Sequence, residues 1–134
     1  MADLVVTATS VVKYTGAKTG QGIAGETITA GQALYLSTTN LLMKADDTTA
    51  LKAACVGIAL NGGAINQPIQ YVTSGGINPG AAVAVGLTYG LTDTAGGIAL
   101  ISERASADFM TILGIATTTS RIQVNINASG VAIA

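Results

Sequence analysis

The chain has 134 residues, a formal net charge of −1, no histidine and one cysteine, and 10% of its residues are charged against 49% hydrophobic. That length suits one domain with a modest core. The cations Lys13, Lys18, Lys44, Lys52, Arg104 and Arg121 are scattered, which argues against direct nucleic-acid binding. A single cysteine excludes an intrachain disulfide framework, and no apolar run approaches the ~18 residues of a membrane span.

In chain order, the opening MADLVVTATS lacks the basic stretch and long apolar block of a secretory leader, so synthesis in a reducing cytoplasm is expected. Strands are predicted at Leu4–Ala8 and Val11–Tyr14. TGAKTGQG, Thr15 to Gly22, is too short between its glycines for a phosphate loop and reads as a flexible loop. Further strands are predicted at Glu26–Thr29, Ala33–Ser37, Leu41–Lys44, Cys55–Leu60, Pro68–Thr73, Ala82–Val85, Thr88–Leu91, Ile98–Ile101, Phe109–Ala116 and Arg121–Asn127. Asp46–Ala54 and Ser102–Asp108 read as helical turns. Asn61-Gly62 and the DTAGG run at 93–97 are turn signals, and Pro68 suits the first position of a strand.

Several phrases recur in order. Ile28-Thr29-Ala30-Gly31 lines up with Ile77-Asn78-Pro79-Gly80, and Ala33–Leu36 with Ala82–Val85. Val56-Gly57-Ile58-Ala59 matches Leu113-Gly114-Ile115-Ala116, Ile69-Gln70 matches Ile122-Gln123, and Ser74-Gly75 matches Ser129-Gly130. Gly80 and Gly31 suit turn positions that need φ > 0, and Gly57 and Gly114 suit a bulge or a close backbone approach. The expected fold is all-β: a compact β-sandwich or partly closed β-barrel built from two related halves, with little helix. Residues 1–25 form N-terminal strands or an arm, and residues 26–134 form the β domain, with halves of about 26–76 and 77–134.

No reactive constellation emerges. Histidine is absent, Cys55 has apolar neighbours and reads as a buried structural residue, and the acids show no paired spacing. Asp46-Asp47-Thr48 reads as a solvated turn, because it lacks the regularly spaced oxygen ligands of a calcium loop. The aromatics Tyr14, Tyr35, Tyr71, Tyr89 and Phe109 are dispersed, as core or interface residues would be. The junction Tyr71–Gly80 has no lysine, which argues against a lipoyl- or biotinyl-type carrier. No catalytic residue, metal or cofactor is expected. A mean hydropathy of +0.55 leaves apolar surface over, best placed against other protein chains.

The phrases AGETITAGQALYL, VGIALNGGAINQPIQYVTSGG, LTDTAGGIAL and DFMTILGIATTTSRIQVNINASGVAIA, with the opening MADLVVTATSVV, resemble the capsid cement, or head decoration, proteins of tailed bacteriophages. The resemblance covers nearly the whole chain and rests on the joint order of the phrases. It implies a β-rich structural protein that binds the outer surface of the mature, expanded capsid. It implies homotrimers at threefold and local threefold positions, which bridge neighbouring major capsid proteins and stabilise the shell against internal DNA pressure. Some members use an N-terminal extension in that bridging. The residues expected to contact the capsid are therefore Ala2, Asp3, Leu4, Val5, Val6, Thr7, Ala8, Thr9, Ser10, Val11 and Val12. The alternative for this segment is that it forms the first strands of the domain. For the whole chain, the alternatives are another virion component, such as a head fibre or tail part, and a small carbohydrate-binding β module, against which the lack of tryptophan counts.

Overall fold

β-Branched residues alternating with small ones, punctuated by glycine, give short paired strands. The computed structural model describes residues 4–101 and 109–132, and the side chains of 4–101, 109 and 111–127. A 3-10 turn at Ala8–Ser10 precedes β1 (Val12–Lys13) and β2 (Lys18–Ile23). Then follow β3 (Ala33–Leu36), β4 (Leu42–Lys44), β5 (Cys55–Ala59), β6 (Pro68–Asn78), β7 (Thr88–Leu91), β8 (Ile98–Leu100), β9 (Phe109–Thr118) and β10 (Arg121–Ala132). They form one curled antiparallel sheet, a half-barrel, so the chain is all-β as expected. The helical turn predicted at Ser102–Asp108 lies outside the described residues.

Neighbouring strands run β4-β3-β5-β6-β10-β9-β7-β8, and β1 and β2 also pair with β6. Ser74 of β6 pairs with both Lys18 and Asn125, and Tyr71 with both Gly20 and Ala59. A strand has two edges, so β1 and β2 hold one edge of β6 while β5 and β10 hold successive stretches of the other. Gly75, with φ +98°, lets β6 continue past the Ser74-Gly75 pair, where Ala17 packs close.

The duplication is visible in the hydrogen bonds. Ala33, Leu34 and Tyr35 face Ile58, Gly57 and Cys55, with a register shift after Leu34. Thr88, Tyr89 and Gly90 face Ile115, Gly114 and Ile112, with the same shift after Tyr89. Ahead of β3, Gly31 N–H donates to Ala59 O and Ala59 N–H to Gln32 O; ahead of β7, Gly86 N–H donates to Ala116 O and Ala116 N–H to Leu87 O. Gly31 and Gly86 both have positive φ, +89° and +83°. Ile28–Leu36 therefore corresponds to Val83–Leu91, and the expected match to Ile77–Val85 is corrected. ITAG and INPG share a turn signal, but the ladder sets the phase. The match of Val56–Ala59 to Leu113–Ala116 stands.

The phase shows how the units join. Ala59 pairs with Tyr71 and Ala116 with Ile122, so Tyr71 and Ile122 correspond, and the expected matches of Ile69-Gln70 to Ile122-Gln123 and of Ser74-Gly75 to Ser129-Gly130 are corrected. Gly20 faces Tyr71 as Ile77 faces Ile122. β2 is to β6 as β6 is to β10, and β6 serves as both the last strand of one unit and the first of the next. The boundary expected at residues 76 and 77 falls inside it.

Four local expectations are corrected. Leu4–Ala8 is not a strand: it meets the body through single bonds from the Leu4 and Thr7 amides and runs into the 3-10 turn at Ala8–Ser10. Thr15–Gly22 is no loop over its second half: β2 lies along β6, with Tyr71 over Gly20 and Leu42 over Gly22. Glu26–Thr29 and Ala82–Val85 are not strands; they lead into the turns at Gly31 and Gly86. Asp46 and Asp47 are buried, not solvated. Asp46 Oδ1 accepts from Thr48 N–H and Oγ1–H, while Asp47 N–H donates to Thr92 O and its carbonyl accepts from Phe109 N–H. That peptide staples the first unit to the second.

Two apolar clusters result. The larger holds Ala33, Tyr35, Cys55, Ile58, Val72, Ile77, Tyr89, Leu91, Leu113, Ile122 and Val124 among others. The smaller holds Ala24, Ile28, Leu34, Leu42, Ala59 and Ile69.

Candidate interaction surface

The N-terminal segment lies against the body from Leu4 onward. Leu4 N–H donates to Ile98 O at 2.7 Å and Thr7 N–H to Gly80 O at 2.8 Å. Its residues alternate: Leu4, Val6 and Ala8 are partly buried against the core, while Val5, Thr7 and Thr9 face out. Val6 and Val11 reach the space where Gly31 and Gly80 lack a Cβ, which requires glycine at both positions. Val11 is buried, Ser10 and Val12 are exposed, and Val5 is 90% exposed. Ala2 and Asp3 lie outside the described residues. Further on, Tyr14 is held by its hydroxyl at Ser120 and by the Arg121 guanidinium 4.9 Å from its ring centre.

A second surface lies on the outer face of the β9–β10 hairpin. Ile112, Ile115, Thr117, Gln123 and Asn125 line a groove of about 310 Å³ with Gly114 on its floor. Ile115 is 49% exposed, whereas its counterpart Ile58 is 0% exposed in the larger core. In the first unit the corresponding surface, Ala33, Cys55, Ile58 and Val72, is covered. In the second unit Ala33 becomes Thr88 and Val72 becomes Gln123, as exposure demands. Ile115 keeps the apolar residue without the cover.

The remaining candidates have structural surroundings. Cys55 is buried and its thiol reaches the Gly57 carbonyl at 3.5 Å. Burial pushes its pKa from 9.0 up to about 12, opposed by backbone hydrogen bonds from Gly57 and Leu34. A raised thiol pKa favours the native state fully below the unfolded value and loses that contribution as pH climbs from 9.0 towards 12. Alkylation at pH 8 is therefore expected to proceed only through unfolding, and Cys55→Ala to flatten the alkaline loss of stability. Both are read by thiol titration and by denaturant unfolding across pH. Among the described residues, no three His, Cys, Asp or Glu side chains gather to hold a metal ion. Glu26 instead caps a strand: its Oε2 accepts from Lys44 N–H at 2.9 Å and its Oε1 lies 3.8 Å from Lys44 Nζ.

No protein-family model matches the chain, and no curated protein matches it. Sequence reasoning pointed to the N-terminal segment and missed the groove. The sequence carried no signal for it: by the two-residue period Ile115 and Thr117 share a face with buried Leu113, and the register shift that skips Leu113 breaks that period.

Proposed function

We propose that the chain is a structural virion protein that binds the outer surface of the mature capsid of a tailed phage. There it bridges major capsid proteins as a homotrimer and stabilises the shell without catalysing a reaction. The ordered resemblance to capsid cement proteins supports this reading. The observation that carries it is Ile115: a large apolar side chain half out of a grooved β-face whose counterpart in the same chain is fully covered. The outward residues of segment 2–12, Val5 foremost, form the second proposed contact.

A ligand that binds only the expanded shell stabilises it by about 2.7 kcal/mol per site at a hundredfold excess over Kd. Trimerisation turns weak single contacts into avidity. With so few charges, binding is expected to change little with salt. The test is cosedimentation with expanded and unexpanded shells. Wild-type protein is expected to pellet with expanded shells only, and Ile115→Lys to weaken that binding at least tenfold with its melting curve unchanged. Failure of wild-type protein to bind expanded shells would overturn the reading.

A further inference from the structure

The two units close their outer strands differently. In the first, the parallel bridge of Ala24 with Leu42 joins the end of β2 to β4, with Gly25 N–H on Leu42 O and Leu42 N–H on Ile23 O. The ladders make Gly80 the counterpart of Ile23, and Ile98 the counterpart of Leu42. Among the described residues, no bridge joins Gly80 to Ile98. Gly31 follows Ile23 by eight positions, whereas Gly86 follows Gly80 by six, so the chain leaving β6 has two residues fewer with which to reach β8. The N-terminal segment lies there instead. Leu4 N–H takes the Ile98 carbonyl and Thr7 N–H the Gly80 carbonyl, the two acceptors whose counterparts bridge directly in the first unit. Amides three residues apart in an extended segment point to opposite sides, so Leu4–Thr7 is interposed between two edges rather than laid along one. Val6 seats it, in the space that Gly31 and Gly80 leave by lacking a Cβ.

This insert is separable from the sheet it completes. The Ala8–Ser10 turn behind it has no side-chain cap and no buried residue. The first fully buried residue after it is Val11, and β1 begins at Val12. Leu4–Thr7 can therefore leave while every strand ladder stays paired. We propose that the slot between Gly80 and Ile98 is a strand-binding site, filled in a lone chain by its own Leu4–Thr7 and open to the same segment of a second copy. Exchange replaces each contact within a chain by an identical one between chains, so it costs little beyond association itself. The chain's own segment competes at an effective concentration of about millimolar. The exchanged form thus needs concentrated protein or a second interface that holds the copies together. The inference concerns the protein alone and is independent of shell binding.

Complementation between full-length variants tests it. Leu4→Asp with Val6→Asp puts charges on the two inward residues and empties the slot. Gly80→Ala would place a Cβ 2.6 Å from the Thr7 carbonyl oxygen, which blocks the slot and frees the segment. Melting curves confirm that each variant is folded. A fluorescent peptide of residues 1–10 is expected to bind the Leu4→Asp/Val6→Asp chain at least about tenfold more tightly than wild type, whose own segment competes. A tagged Gly80→Ala chain is expected to retain the Leu4→Asp/Val6→Asp chain at least about tenfold above a tagged control carrying all three substitutions. Contacts through any other surface are the same in both arms of that comparison. Equal peptide binding by wild type and the Leu4→Asp/Val6→Asp chain overturns the slot, and equal retention by the two tagged chains overturns the exchange between copies. Should the Leu4→Asp/Val6→Asp chain fail to fold alone, recovery on refolding with the peptide is the readout, and no recovery overturns the proposal.

Discussion

Gly114→Ala is expected to cost about 3 kcal/mol of stability, at the upper end for overpacking a tight site. A Cβ at Gly114 would collide with the carbonyl oxygen of Gln123 on the neighbouring strand, a backbone atom with no rotamer to escape into. Gly57 repeats the situation in the first unit, where a Cβ would meet Val72 O at 2.5 Å and the Tyr71 ring at 2.5 Å. Gly57→Ala is therefore expected to cost a similar amount. Gly16→Ala is the control: its φ of +87° disfavours alanine, but nothing lies within 4 Å of the new methyl. It should cost only about 1 kcal/mol. Urea unfolding of the three variants separates steric from conformational cost, and equal losses at Gly16 and Gly114 would sink the steric account.

Ile122→Ala and Leu34→Ala are each expected to lower stability by about 2–5 kcal/mol, the range for emptying a buried aliphatic site. Both side chains are fully buried, Ile122 in the larger cluster and Leu34 in the smaller. Despite the two clusters, each variant should still unfold in one transition. β6 supplies Val72 and Ile77 to the larger cluster and Ile69 to the smaller, so neither can open without disturbing that strand. Calorimetry alongside circular dichroism and tyrosine fluorescence checks this. Two separated transitions in Leu34→Ala would show that the clusters are independent.

These effects depend on features of unequal legibility. Short apolar runs bounded by turn signals placed β5, β7 and β9 close to their bounds and β10 at its start; β5 and β7 are buried on both faces, so it is the run and not alternation that marks them. Pro68 did begin a strand, and Asp93–Gly97 did form the β7–β8 turn. β2 was illegible because Lys18–Ile23 buries little of either face. It is held by a ladder to residues about fifty positions away and by Tyr71 and Leu42 over its glycines. The phase of the repeat was misread because an apolar residue leading to a glycine turn occurs at both Ile77–Gly80 and Val83–Gly86, and only hydrogen bonds tell them apart. At the surface, the β-prone character of residues 4–12 misled: of these only Val12 lies in a strand, and Ala8–Ser10 form a 3-10 turn. That Val6 and Val11 turn inward depends on the missing Cβ atoms of Gly31 and Gly80. The groove was hidden because LGIA at 113–116 looks like VGIA at 56–59, where the isoleucine is buried.

The strand shared between the two units also decides how the molecule answers tension. β2 and β10 both run antiparallel to β6 and grip it from opposite edges, Lys18 and Asn125 meeting at Ser74, Lys13 and Ile122 meeting at Ile77. The strands nearest the two ends of the chain are thus parallel to each other with β6 between them. A pull that draws those ends apart slides both strands along β6 in shear, straining every rung of both ladders at once. Peeling would break the rungs one by one at low force. The fold therefore resists most along the line joining its ends, and β6 acts as its mechanical clamp.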